Sequence, residues 1–209
     1  MEDKLAIVSR RILKPILGKN KLALERATKY KNITVSQGIK ARLGTFIGGE
    51  LNSFLQFTAI YSDMTTATKS FAELSKNKEI MEMMSIREDD PSGHLIGPEV
   101  YRTVFGQPSG DHNILLIREY DVDRKYIPQT IELLNEVEEI GKDEDTKVLA
   151  LYPIIADKMD SLFVVYYYSS FEAMGDIIDR IGMSDAFQNV VNRANEIGKL
   201  KTSNVVKII

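Results

Sequence analysis

The chain has 209 residues, 44% of them apolar, and its 27 Lys and Arg residues against 30 Asp and Glu residues give a net charge of −3. This length fits one large domain or two small ones with a sizeable core, and the charge balance lacks the basic excess typical of proteins that bind nucleic acids. Because cysteine is absent, disulfides, thiolate metal sites and cysteine nucleophiles are excluded.

The N-terminal stretch MEDKLAIVSRRILKPILGK contains the first predicted strand, at residues 5–13. Basic residues interrupt its apolar runs, which makes it a poor signal peptide. No later segment approaches the roughly 20 apolar residues that a membrane-spanning helix needs. We therefore expect a cytoplasmic protein with neither a membrane nor a nucleic acid as its partner.

The first half continues with a helical stretch at 19–31 and two strands joined by a short polar hairpin. A second helical stretch is interrupted at 75–78. Met81, Met83 and Met84 after the interruption are expected to fill the core at a helix end, and the alternative is a docking surface for varied partners. A loop is predicted at 88–98. The strands of this half are predicted at 5–13, 39–47, 53–62 and 99–105.

The second half follows the same order. A helix at 124–141 carries Pro128 in its first turn, where the missing N–H costs nothing. Ser169 stands three residues before Glu172, which is the spacing of a capping box, and a helix capped by Ser184 follows a break at Gly182. The strands of this half are predicted at 113–121, 147–155, 161–170 and 204–209.

Three strand-like runs of the two halves match at one offset. When Arg10 is placed over Arg118 (118 minus 10, an offset of 108), LAIVSRRIL lies over NILLIREYD, and the runs at 39–47 and 53–62 lie over those at 147–155 and 161–170. The order β-α-β-β-α-β thus occurs twice, and it is the order of a ferredoxin-like module. We predict module 1 at residues 1–106 and module 2 at residues 107–209.

A ferredoxin-like module leaves one face of its sheet bare, and an apolar bare face must be covered. Two modules in one chain can cover each other. The predicted fold class is therefore α+β, with two tandem ferredoxin-like βαββαβ modules packed sheet to sheet as an intramolecular α/β barrel. The two outer helical layers stay exposed, so a homo-oligomer can also form.

This pattern resembles the dimeric α/β-barrel superfamily, which includes the NIPSNAP, antibiotic-biosynthesis-monooxygenase and stress-responsive barrel families. The resemblance extends over nearly the whole chain as two copies. Its most specific local feature is YYYSSFEAM (166–174), followed by the broken helix IGMSDAFQNVVNRA (181–194). It implies a small apolar or aromatic ligand between the sheets, and an activity like those of its cofactor-free oxygenases, isomerases or haem enzymes.

Alternation along the strands predicts which side chains face the barrel interior. A mostly apolar cavity with a few polar groups suits a small molecule, in which Arg could grip a carboxylate or enolate and Tyr could donate to an oxyanion. The alternative is that these groups pair with one another or reach solvent at the rim. The predicted ligand-binding residues are Arg10, Arg42, Gln56, Arg118, Tyr152, Tyr166 and Tyr168.

No cofactor and no metal site are predicted. His94 and His112 both lie near glycines in predicted loops, where a histidine is ordinarily solvated, and they are too far apart in sequence for a zinc site. The resemblance implies one exception, because a His at the end of the second helix ligates haem in some members and His94 lies just beyond that point. The Asn that would match in the first strand is absent, and the chain has no Trp.

Two functions remain open at this stage. One is a cofactor-independent oxygenase or isomerase, in which Gln56, Tyr166, Tyr168 and an inward Arg orient and polarise an apolar or aromatic substrate. The other is a non-catalytic ligand-binding or assembly module, since the sequence contains no nucleophile–base pair, metal set or cofactor loop.

Overall fold

The computed structural model describes residues 5–209, so residues 1–4 of the N-terminal stretch lie outside it. Its strands are β1 (Ile7–Pro15), β2 (Lys40–Gly48), β3 (Leu55–Tyr61), β4 (Gly93–Phe105), β5 (Ile114–Val122), β6 (Thr146–Ile155), β7 (Ser161–Tyr168) and β8 (Gly198–Ile208). The helices are α1 (Asn20–Ser36), α2 (Met64–Leu74), α3 (Lys78–Asp89), α4 (Ile127–Ile140), α5 (Phe171–Ile177) and α6 (Asp185–Ile197). A 3₁₀ turn at Arg124–Tyr126 precedes α4, and a π-helical turn at Ile178–Gly182 follows α5.

The predicted order β-α-β-β-α-β is confirmed in both halves, with the second helix of each half divided in two. The predicted division at residue 106 falls in residues 106–113, the joint between β4 and β5, and it stays a proposal. None of the helices in residues 5–209 combines the length and apolarity needed to cross a membrane.

The eight strands close into one antiparallel barrel. Their order around the barrel is β1-β3-β2-β8-β5-β7-β6-β4, and β4 pairs again with β1. The two halves are joined through their edge strands, β2 with β8 and β4 with β6. Closure therefore pairs the edges that each module would expose if it stood alone. The predicted intramolecular α/β barrel is confirmed.

Apolar side chains cover both faces of the barrel wall. The interior is filled by one cluster that includes Tyr101 and Phe163. The outer face of each half packs against the helices of that half, through residues such as Phe57 in the first half and Val164 in the second. Because both faces are buried, several strands lack the apolar–polar alternation that would identify their faces.

The strand registers relate the two halves by 107 residues instead of the predicted 108. In the first half, Arg10 is paired across the strands with Thr58, and Thr58 with Arg42. The equivalent row of paired residues in the second half consists of Ile117, Val165 and Leu149, each 107 residues further along the chain (for example 117 minus 10). Both rows line the barrel interior. A shift of one residue exchanges the two faces of a strand, so the predicted offset of 108 assigned the wrong faces in the second half.

Several elements differ locally from the prediction. The last strand, β8, begins at Gly198 instead of residue 204, and α1 continues to Ser36 instead of ending at residue 31. Most of the predicted loop at 88–98 is regular, because α3 continues to Asp89 and β4 begins at Gly93.

A helix cap and the methionines of α3 also differ from the prediction. Ser170, not Ser169, caps α5 by accepting the N–H of Ala173, whereas Ser184 caps α6 as predicted. Met81 and Met84 are more than half exposed, so the prediction that they fill the core is wrong for these two.

Candidate ligand cavities

The barrel interior, where the sequence placed the ligand, is almost completely filled. Its remaining cavity has a volume of about 60 Å³, which is room for about two water molecules. Arg10, Arg42 and Gln56 line it, as predicted, together with aromatic side chains such as Phe163 and Tyr167. An aromatic ligand does not fit in this space unless the core rearranges.

Arg10 is held by groups of the barrel interior itself. Its guanidinium donates to the Glu99 carboxylate at 2.6 and 3.1 Å and to the Tyr101 hydroxyl at 3.0 Å, and the same hydroxyl donates to Glu99 at 2.8 Å. The guanidinium also lies 4.3 Å from the ring centroid of Phe163. The charge of Arg10 therefore already has a carboxylate partner inside the protein, which agrees with the alternative that the inward polar groups pair with one another and do not bind a ligand.

Arg42 fastens the joint between the two halves to β2. Its guanidinium donates to the backbone carbonyls of Ser109 and His112, both at 2.6 Å, and to the side chain of Asn113 at 2.9 Å. Burial lowers the pKa of Arg42, although Tyr167 and Asp111 oppose the shift. These hydrogen bonds give Arg42 a structural task at one end of the barrel.

His112 is buried in this joint, so its predicted exposure to solvent is wrong. It is 5% exposed, its Nδ1 lies 2.8 Å from Ser109 Oγ, and its Nε2 lies 3.1 Å from Asp145 Oδ1. Hydrogen bonds from Ser169 and His112 hold the pKa of Asp145 below its ordinary value. Although these are the residue types of a hydrolase triad, Ser109 is buried beside a cavity too small for a substrate.

Two larger cavities lie outside the barrel, each between the sheet and the helices of one half. The first-half cavity has a volume of about 390 Å³ and the second-half cavity about 510 Å³. Both volumes fall within the range of ligand pockets, roughly 300–1,000 Å³. We therefore place the candidate site between the helices and the barrel wall, which corrects the interior site expected from the sequence.

The second-half cavity has the outer face of β5, β6, β7 and β8 as its floor. Its roof consists of α4, the π-helical turn and α6, with Ile181 and Phe187 among the apolar lining residues. Arg118, Tyr166 and Tyr168 line the floor. The prediction that these three face the interior is wrong, but the structure does place them together in one cavity. The π-helical turn is notable because such turns frequently occur at functional sites.

Arg118 is a guanidinium without an anionic partner. No carboxylate forms an ion pair with it in the described part of the chain, and its buried Nε has no hydrogen-bond partner there. The guanidinium lies 5.5 Å from the ring centroid of Tyr166. Burial alone would lower the pKa of Arg118, but Tyr120 and Tyr166 outweigh burial and raise it. An unpaired buried charge is unfavourable, so a bound anion would stabilise this arrangement.

The two tyrosines beside Arg118 stay protonated at physiological pH. Burial raises the pKa of Tyr168 to about 12, and it also raises that of Tyr166, although the charge of Arg118 opposes both shifts. A neutral phenol can donate a hydrogen bond. A guanidinium and a phenol in one apolar cavity can together stabilise an oxyanion.

Tyr152 lies apart from all of these cavities. It is buried in the cluster between the second-half sheet and its helices, and the guanidinium of Arg124 lies 5.0 Å from its ring centroid. Burial raises the pKa of Tyr152. Its predicted inward orientation is wrong, because the offset of 108 assigned the wrong face of β6 to the barrel interior.

Arg11 is one of the polar cavity residues that the sequence did not point to. It lines the first-half cavity, and its strand position corresponds to that of Arg118 at the offset of 107. A signal for it was present in the Arg10–Arg11 pair, since either arginine could be aligned with Arg118. Only the strand register distinguishes the two alignments.

Neither histidine of the chain lies in the two large cavities, where it could bind a haem iron. His94 is exposed on β4 and His112 is buried in the joint, and neither lines the two large cavities. Among residues 5–209 these cavities contain no imidazole or thiolate for the axial position of a haem. Within the same residues no group of three or more His, Cys, Asp or Glu side chains is arranged to hold a metal ion.

The sequence matches no profile of a known protein family, and it matches no curated protein. Similarity to solved structures is nevertheless extensive. A protein from Fusobacterium nucleatum subsp. nucleatum named "putative monooxygenase" has 13% identity and a TM-score of 0.68, with 99% of this chain and 93% of that chain covered.

Two further structures have the same architecture. An anthrone oxidase-like protein has 11% identity and a TM-score of 0.65, with 100% of this chain and 92% of that chain covered. The chlorite dismutase of Candidatus Nitrospira defluvii, in complex with imidazole, has 8% identity and a TM-score of 0.56, with coverage of 100% and 92%. At these identities the likeness is one of fold. The chain therefore shares with these proteins the fold of a closed α/β barrel, built here from two βαββαβ units in one polypeptide.

Proposed function

We propose that the chain binds an apolar or aromatic small molecule with an acidic or enolisable oxygen in the second-half cavity. Arg118 and Tyr166 hold that oxygen as an anion, and the apolar lining takes up the body of the molecule. The observation that carries this proposal is the guanidinium of Arg118, which lines a cavity of about 510 Å³ and has no carboxylate partner within residues 5–209.

The same geometry supports chemistry on an enolate. A cofactor-independent oxygenase or isomerase begins by removing a proton next to a carbonyl group, which leaves negative charge on the carbonyl oxygen. A guanidinium and a phenol at that oxygen stabilise the charge as it develops. We therefore propose oxygenation or isomerisation of an enolisable aromatic substrate. The names of two structural neighbours, "putative monooxygenase" and "anthrone oxidase-like protein", support this class.

A ligand-binding module without turnover is the second candidate. Glu138 is the single carboxylate among the described residues that line the second-half cavity, and no histidine accompanies it. The cavity therefore offers few groups that could accept the proton of a substrate. In this case Arg118 would fix an anionic ligand without activating it.

Binding is tested at a methyl group of the cavity lining. Met183 lines the second-half cavity, so its signal in a methyl-labelled protein reports occupancy there. We expect 1-naphthoate to shift this signal and its neutral analogue 1-naphthamide to bind more weakly. Arg118→Leu should weaken binding of 1-naphthoate at least about tenfold. The matched control is Arg124→Leu, because it removes one exposed arginine of the same half that does not line the cavity.

Turnover is tested with anthrone, an apolar aromatic ketone that enolises readily. An oxygenase should consume O₂ and form anthraquinone and water, and Arg118→Leu should lose this activity while Arg124→Leu retains it. Binding at Met183 without O₂ uptake from any enolisable aromatic ketone favours the non-catalytic module. Equal binding of 1-naphthoate by the two variants would contradict the proposed site itself.

A further inference from the structure

The first-half cavity is separate from the site proposed above. Its floor is the outer face of β1, β2 and β3, and its walls are α1, α2, α3 and the beginning of β4. It shares no lining residue with the second-half cavity. Its volume of about 390 Å³ is large enough for a small ligand, and nothing in the proposed function makes use of it.

The polar lining of this cavity is cationic. Arg11, Arg26 and Arg87 line it, and among the described residues its lining contains no Asp or Glu. Arg26 has a partner outside the lining, because its Nη2 lies 3.1 Å from Asp90 Oδ2. Arg11 and Arg87 form no ion pair anywhere in residues 5–209. Two positive charges at this cavity are therefore not offset by the protein.

Arg11 is the more enclosed of these two charges. It is partly buried on β1, its Nη1 donates to the Tyr30 hydroxyl at 2.6 Å, and its guanidinium lies 5.2 Å from the Tyr30 ring centroid. A neutral phenol satisfies one of the five donors of an arginine but does not offset its charge. The planar fork of the guanidinium matches a carboxylate group in a bidentate arrangement.

Most of the remaining lining of the cavity is apolar. Leu43, Leu55 and Phe57 on the barrel wall face Phe71 and other apolar residues of the helices. Met83 and Met84 of α3 complete the wall, and methionine side chains adapt to ligands of different shape. A ligand that satisfies both parts of the cavity needs an apolar body and one anionic end.

We propose that the first-half cavity binds an amphipathic monocarboxylate, with its carboxylate on Arg11 and its apolar body against Met83 and Met84. Arg87, which is exposed, adds a positive charge at the mouth of the cavity. This site is independent of the proposed function, since it involves neither Arg118 nor any other residue of the second-half cavity.

The test is a titration of the full chain, labelled at its methionine methyl groups, with decanoate and with decan-1-ol. Met83 and Met84 report the first-half cavity and Met183 the second-half cavity, while the exposed Met159 serves as an internal control. Single Met→Leu variants assign the signals. We expect decanoate to shift the signals of Met83 and Met84 in a saturable way and to bind at least about tenfold more tightly than decan-1-ol.

Variants then assign the anion contact. Arg11→Leu should weaken decanoate binding at Met83 and Met84 at least about tenfold, Arg11→Lys should retain part of it, and Arg118→Leu should leave it unchanged. Tyr30→Phe keeps the charge and should bind decanoate, which provides a second check if Arg11→Leu folds poorly. Equal affinity for the acid and the alcohol, shifts confined to Met183, no saturable shift at all, or undiminished binding by Arg11→Leu would each overturn the proposal. None of these outcomes alters the naphthoate test at Arg118.

Discussion

Arg11 and Arg118 occupy the same strand position in the two halves of the barrel. Each directly follows the residue that points into the interior, Arg10 in β1 and Ile117 in β5. Each lines the large cavity under the helices of its own half, and neither has a carboxylate partner in the described chain. By contrast, Arg10 inside the barrel is paired with Glu99. The outer cavities, and not the barrel interior, therefore hold the cations that are open to a ligand.

Loss of Glu99 should destabilise the barrel from within. Glu99→Ala leaves the Arg10 guanidinium inside the barrel without its carboxylate, and we predict that the free energy of unfolding in urea falls by about 2–4 kcal/mol. Glu136→Ala is the control, because it breaks an exposed ion pair with Arg193 and should have little effect. A similar fall in the free energy of unfolding of the two variants would refute a stabilising role for the Arg10–Glu99 pair.

Two glycines of the joint should respond differently to alanine. Gly106 has a φ of +65°, and an added Cβ would lie 2.1 Å from the carbonyl oxygen of Val148. We predict that Gly106→Ala lowers the free energy of unfolding by at least about 2 kcal/mol. Gly110 has open space around it, so Gly110→Ala should be tolerated. Thermal unfolding of the two variants checks this, and a stable Gly106→Ala protein would argue against the close approach of the joint to β6.

Removal of Arg42 should loosen the joint. Arg42→Ala deletes the donors to the carbonyls of Ser109 and His112, so amide hydrogen exchange should accelerate in residues 109–113 while the remainder of the barrel stays protected. Lys40→Ala removes an exposed cation from the same strand and is the matched control. Unchanged exchange in the joint of the Arg42 variant would mean that other contacts hold this segment.

Stability should fall at alkaline pH. Burial raises the pKa of Tyr61, Tyr167 and Tyr168 from 10.0 to about 12. The folded chain thus holds these protons more tightly than the unfolded chain. Their contribution to the free energy of unfolding is complete below pH 10 and is lost as the pH rises toward 12. Each pKa unit corresponds to about 1.4 kcal/mol.

Urea unfolding at a series of pH values checks this trend, with phenolate absorbance recorded in parallel. The free energy of unfolding should stay level up to about pH 9 and then decline, and Tyr168→Phe should decline less. Phenolate formation by all tyrosines near pH 10 in the folded protein would contradict the burial of these three.

The sequence predicted the element order and the intramolecular α/β barrel because both depend on features that survive small alignment errors. Short strands, turn residues and two broken helices are recognisable without knowing which face of a strand points inward. The predicted site depended on which face points inward. Because Arg118 was aligned with Arg10 and not with its true counterpart Arg11, the alignment was wrong by one residue and the wrong face of the second-half strands was placed inside the barrel. Strands such as β7 are apolar on both faces, so periodicity could not correct the alignment.

The burial of His112 could not be predicted either. Its environment combines Ser109, three residues before it, with Asp145, which is 33 residues away. Such a contact depends on closure of the barrel and not on local spacing. The ion pair between Arg10 and Glu99 could not be predicted for the same reason, because the pairing of β1 with β4 brings the two residues together.

We place the ligand between the helices and the barrel wall. A crystal structure of the full chain with 1-naphthoate tests this placement. We predict the naphthalene ring in the second-half cavity and its carboxylate within hydrogen-bond distance of Arg118. A ligand inside the barrel beside Arg10 and Arg42, or a second-half cavity that stays empty at saturating 1-naphthoate, would contradict it.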